Sequence, residues 1–83
     1  MKRIYIKAFN QLQKLGCPVF ERSDYDGFFV SAEQPDSWKW ADMNNYRADW
    51  QYENTNPKLD EILHQNGLFC EWENGGCLIV HPA

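Results

Sequence analysis

The stretch Leu68-Phe69-Cys70-Glu71-Trp72-Glu73-Asn74-Gly75-Gly76-Cys77-Leu78-Ile79-Val80 places apolar and acidic residues in alternation before Asn74-Gly75 and an apolar run after it. Asn-Gly accepts the positive φ that a type I′ turn requires at both central positions, so the stretch predicts a β-hairpin with strands over 68–73 and 76–80. With Asn74-Gly75 as the turn, Trp72 faces Cys77 and Cys70 faces Ile79 on one surface. Phe69, Glu71, Leu78 and Val80 then share the other surface, because side chains alternate along a strand. Both surfaces carry apolar residues, so helices cover one of them and the second needs a different cover.

Immediately upstream, Leu59, Ile62 and Leu63 recur at helical spacing and Gly67 follows. Asn56 is placed to cap this helix, Pro57 suits its first position, and Asp60 and Glu61 favour its positive end. The same order appears about 50 residues earlier: Ala8, Gln11, Leu12 and Leu15 lead to Gly16, as Leu59, Ile62, Leu63 and Asn66 lead to Gly67. Glu21 then corresponds to Glu71, and Phe28-Phe29-Val30 to Leu78-Ile79-Val80. Ile4 to Leu15 therefore predicts a first helix, and Val19–Arg22 and Gly27–Ser31 a first hairpin. The expected fold is a single α+β domain of two helix-hairpin (αββ) units, spanning 4–32 and 56–82. Their four strands form one antiparallel sheet, both helices lie on one face, and an aromatic, acidic connection runs over 33–55.

At 83 residues with 43% hydrophobic and 16% aromatic content, the chain has enough apolar side chain to fold. A single core at this size yields only about 3–5 kcal/mol of net stability, so a protein partner or a homodimer would help. No run approaches the roughly 20 apolar residues that cross a bilayer. After Met1-Lys2-Arg3 the apolar run is broken by Lys7, Asn10 and Gln11, unlike a secretory signal. Cys17, Cys70 and Cys77 are odd in number and form no CxxC pair, which suits a reducing, cytoplasmic setting.

Charge is unevenly spread. Lys2, Arg3, Lys7 and Lys14 face no acid within residues 1–20, whereas all twelve acids lie in 21–73. The expectation is that the basic helix lies against an acidic body. A chain of net charge −4 offers phosphate backbones no broad basic face, which argues against a nucleic-acid partner.

The connection carries Trp38, Trp40, Tyr46, Trp50 and Tyr52 among Asp36, Asp42, Asp49 and Glu53. Trp40, Met43, Arg47 and Trp50 have helical spacing, although the aromatics and Asn44-Asn45 limit any helix to a turn or two. Tryptophan and tyrosine serve equally as core and as binding anchors. The favoured function is a small cytosolic protein-binding module, of inhibitor or adaptor type, that presents Trp38, Trp40, Tyr46 and Trp50. One alternative is a nucleic-acid-associated protein using Lys2, Arg3, Lys7 and Lys14. Another is a small metal protein using Cys17, Cys70, Cys77 and His81, with His64 nearby, although no short Cys-Cys knuckle is present. No cofactor is expected. No residue has a visible activating partner for nucleophilic catalysis, and Glu21, Asp24 and Asp26 suit Asx-turns better than acid–base work.

Helix, glycine and hairpin over Phe9–Ser31 resemble the opening of small toxin ribonucleases of the HicA type. Those toxins carry a histidine in the hairpin, and Asp26-Gly27-Phe28-Phe29 has none, so the resemblance implies a local shape and no ribonuclease chemistry.

Overall fold

Helix α1, Arg3–Lys14, buries Tyr5, Ala8 and Leu12 along one stripe and leaves its charged residues outside. Its end is a Schellman turn. Gly16 stands at φ 83°, its N–H donates to Gln13 O at 3.0 Å, and Cys17 N–H donates to Leu12 O at 3.0 Å. Two strands follow, β1 (Val19–Phe20) and β2 (Phe29–Ser31), paired antiparallel. Helix α2, Pro57–Gln65, starts as expected: Asn56 Oδ1 accepts from Lys58 N–H at 2.9 Å and Pro57 takes the first position. Gly67, at φ 71°, closes it. Strands β3 (Leu68–Asn74) and β4 (Cys77–Pro82) complete the chain. The computed structural model describes residues 1–44, 50 and 54–83.

The four strands form one antiparallel sheet in the order β1-β2-β4-β3, so the two hairpins meet where β2 pairs with β4. Tyr5, Ala8 and Leu12 from α1 and Leu59, Ile62 and Leu63 from α2 share one core with Phe28, Val30, Leu68, Leu78 and Val80. Both helices thus cover the same sheet face, and the α+β architecture is the one expected. No helix among the described residues is long and apolar enough to cross a membrane.

The register of the second hairpin differs from the expectation. Asn74 stands opposite Cys77, which makes Gly75-Gly76 the turn, and Asn74 Oδ1 accepts from Gly76 N–H at 2.7 Å. A bulge at Glu73 then sets Trp72 opposite Leu78 and Cys70 opposite Val80. A one-residue slip moves every side chain of a strand to the other face. Here the slip puts Leu78 and Val80 beneath the helices together with Leu68, Cys70 and Trp72, which the expected register would have divided between the two faces.

The first hairpin is shorter than expected, because residues 21–27 leave the sheet, and Arg22 and Tyr25 of this loop fold over its second face. The Arg22 guanidinium sits 4.0 Å above the Phe29 ring, and Phe20 and Tyr25 flank that ring with centroids at 5.4 Å each. Phe29 is fully buried as a result. The Tyr25 hydroxyl donates to Val80 O, the carbonyl next along β4 beyond the end of its pairing with β2. The cover for this part of the second face is therefore the loop of the first hairpin, in place of the connection or a second copy.

Candidate functional site

The connection leaves β2 through bends into a single 3-10 turn at Ser37–Lys39, and Ala41 and Thr55 form an isolated antiparallel bridge. The buried Ser37 hydroxyl accepts from Gln34 N–H at 3.0 Å, and Asn56 Nδ2 donates to Lys39 O at 2.9 Å, which ties the turn to the start of α2. This turn precedes the Trp40, Met43, Arg47 and Trp50 spacing, of which residues 45–49 lie outside the described residues. The tryptophans divide among surroundings. Trp38 is 47% exposed on the turn, Trp40 is half-buried against the core, and Trp50 is buried at 7%. Tyr46, with Arg47, Asp49, Tyr52 and Glu53, lies outside the described residues. Trp72 packs on the core from β3.

The cysteines do not converge. Cys70 lies on the helix-covered face and Cys77 on the opposite one, since Cys77 pairs with Ser31 in step with Phe29 and Ile79. Burial pushes the Cys17 and Cys70 thiols up to about 12, helped by Cys70 beside Cys17 and by Asp60 beside Cys70, and the Cys77 thiol up to about 11. At neutral pH they are protonated thiols and weak nucleophiles. Cys77 Sγ donates to Glu73 Oε2 at 3.2 Å. His81 Nε2 lies 2.8 Å from Glu71 Oε1, away from Cys70. Among the described residues no three His, Cys, Asp or Glu side chains are placed to share a metal ion.

The expectation for the basic helix is corrected. Lys2, Arg3, Lys7 and Lys14 are all exposed, and among the described residues none forms an ion pair. Arg3, Lys7, Asn10 and Lys14 recur at the three- and four-residue spacing of one helix face. The apolar stripe of α1, rather than its charge, holds it to the sheet.

A groove that sequence reading missed runs between β3 and α2, with a volume of about 400 Å3. Phe69 to Trp72 form one wall, and Thr55, Asp60, Leu63 and His64 lie across from them. Asp60 is only 8% exposed, and among the described residues its hydrogen-bond donor is the Thr55 hydroxyl, 3.1 and 3.0 Å from the two carboxylate oxygens. Burial raises its pKa from the usual 3.8, against the opposing pull of Thr55 and His64. In the sequence Asp60 reads as a helix-dipole residue; only Thr55, five positions earlier, hints at a second role.

Comparison with known proteins finds no family model, no curated protein and no solved structure that matches this chain.

Proposed function

We propose that this chain is a small cytosolic protein-binding module, of inhibitor or adaptor type, with Trp38 as its aromatic anchor. The observation that carries the reading is the exposure of nearly half of Trp38 on a turn whose backbone is held by Ser37 and Asn56. An indole offers a large contact area with few rotatable bonds, and a pre-held turn loses little further freedom on docking. Trp40 contributes by holding the connection against the core, Trp50 is buried, and of the three Trp38 is the one exposed.

The test is photo-crosslinking in cells, with benzoylphenylalanine at position 38 and, as a control, at the exposed position 61. Support is a protein captured from position 38 alone and displaced by excess wild type but not by the Trp38→Ala variant. Equal capture from both positions would refute the anchor.

The exposed stripe of Arg3, Lys7 and Lys14 favours a second reading, a nucleic-acid-associated protein. Three phosphate contacts would make affinity fall steeply with salt. A filter-binding titration against duplex and single-stranded DNA and RNA at low and high salt separates the two: protein docking through an indole survives high salt, and phosphate contacts do not.

A further inference from the structure

Strand β3 ends the sheet on one side, with β4 as its neighbour on the other. Leu68 is paired with Pro82, Cys70 with Val80 and Trp72 with Leu78, while Ala83 N–H donates to Gly67 O at 2.8 Å. Bonded and non-bonded pairs alternate in an antiparallel ladder. The Gly67–Ala83 bond therefore makes Phe69–His81 and Glu71–Ile79 the bonded pairs, which agrees with Pro82 having no N–H to give. Cys70 and Trp72 accordingly turn their N–H and C=O groups outward, and no described residue bonds them there.

The groove beside α2 follows this open edge. Four consecutive residues, Phe69 to Trp72, line it. The groove also reaches in from this edge beneath α2, where Leu63 and Leu78 line it. Across from the edge is Asp60, a buried carboxylate that among the described residues accepts from a single hydroxyl. A buried carboxylate is satisfied by a cation far better than by one hydroxyl.

We propose that this groove takes an extended peptide segment of a partner protein, added to the sheet as a fifth strand beside β3, with a Lys or Arg side chain reaching Asp60. The donors and acceptors of Cys70 and Trp72 repeat every second residue, as an added strand requires. Alternate side chains of that strand point toward α2, where a basic one meets Asp60. A second copy of this chain fits less well: β3, Leu68–Asn74, carries no Lys or Arg, so a copy pairing through its own β3 brings no cation to Asp60. The net charge of −4 also favours a basic partner. This surface does not depend on Trp38.

The test is an amide NMR titration of the 15N-labelled chain with the peptide acetyl-Thr-Val-Thr-Lys-Thr-Val-Thr-amide. Two matched peptides serve as controls, one with Glu in place of Lys and one N-methylated at the lysine and at both flanking threonines, which removes the N–H groups that face β3 in either strand direction. The expected result is a shift of the Cys70 and Trp72 amides with slowed hydrogen exchange. Binding of both control peptides, and of the Lys peptide to the Asp60→Asn variant, should be at least about tenfold weaker. Should that variant not fold, the peptide series alone decides. The proposal is overturned by shifts confined to the Trp38 turn, by equal affinity for the Lys and Glu peptides, or by a free-state dimer that protects the Cys70 and Trp72 amides. The first of these outcomes would leave the Trp38 reading standing, and loss of crosslinking at position 38 would leave this one standing.

Discussion

Gly16 and Gly67 stand at φ 83° and 71° directly after α1 and α2, yet the strands that follow are two and three residues long in the first half and seven and six in the second. After Gly67 the chain enters β3 at once. After Gly16 it meets Pro18, has two residues of strand, and then leaves the sheet for the excursion over Phe29. The second half uses its hairpin to extend the sheet to an open edge, and the first uses its loop to cover a face. Helix ends depend on a few local residues and repeat faithfully, whereas strand length depends on what each residue can pair with and cover.

The largest effect should come from equivalent core positions, Phe28 and Leu78, both buried to within 1% of complete. Phe28 stands edge-on to Phe9 at 5.3 Å and Tyr5 at 6.1 Å, whereas Leu78 lies opposite Trp72 on β3. Phe28→Ala is expected to cost about 3–5 kcal/mol, and Leu78→Ala about 2–5 kcal/mol. Since the first approaches the whole stability of a chain this size, urea midpoints should show Phe28→Ala largely unfolded. A more damaging Leu78→Ala would mean that the second hairpin alone carries the core.

Gly16→Ala and Gly67→Ala come next, at about 1 kcal/mol each, because an alanine Cβ is disfavoured at positive φ. No atom lies within 4 Å of a Cβ built at either site, so the cost is conformational and should be equal in the two halves. Thermal or urea midpoints that differ markedly between the two variants would break the equivalence of the helix ends.

The smallest effect joins the halves. Arg22 from the first hairpin loop makes two 2.9 Å hydrogen bonds to Glu73 on β3 and holds the Glu73 carboxyl below its usual 4.5, helped by the Cys77 thiol. A depressed carboxylate stabilises the fold above its unfolded pKa and loses that contribution as pH falls through its folded value. Arg22→Ala should therefore lower the thermal midpoint slightly at neutral pH. The deficit should vanish once the pH falls well below 4.5, and about 1 M salt should shrink it. Asp60 acts with the opposite sign: its raised pKa means its contribution is greatest below 3.8 and declines as pH rises through its folded value. An Arg22→Ala deficit that persisted in acid would show that the guanidinium acts by covering Phe29, 4.0 Å beneath it, rather than by pairing with Glu73.

Both helices, their closing glycines, the Asn56-Pro57 start and the existence of the second hairpin were legible because each rests on residues within a few positions of one another. The hairpin register was not. Asn74-Gly75 and Gly75-Gly76 are both acceptable turns, and the choice falls to the burial of Leu78 and Val80 beneath helices about 15 to 75 residues distant in sequence. The aromatic connection was visible as a feature, but spacing within it does not say which indole meets the core. Trp40 packs on the core, while Trp38, two positions earlier on the Ser37 turn, is exposed. Asp60 was read for its place in the first turn of α2, while its burial comes from Thr55 and the wall of β3.

By itself the sequence determined that this chain makes two helices and two hairpins, where each helix begins and ends, and that α1 carries Arg3, Lys7 and Lys14 and no acid while all twelve acids lie beyond it. These follow from side-chain periodicity, capping and the conformational freedom of glycine, all short-range. The tertiary structure alone decided the order β1-β2-β4-β3, the face each β4 residue takes, the use of Arg22 and Tyr25 to cover Phe29, and the open edge of β3 beside Asp60. Each of these depends on which distant surfaces exclude water from one another, and that is a property of the packed layers and of no single segment.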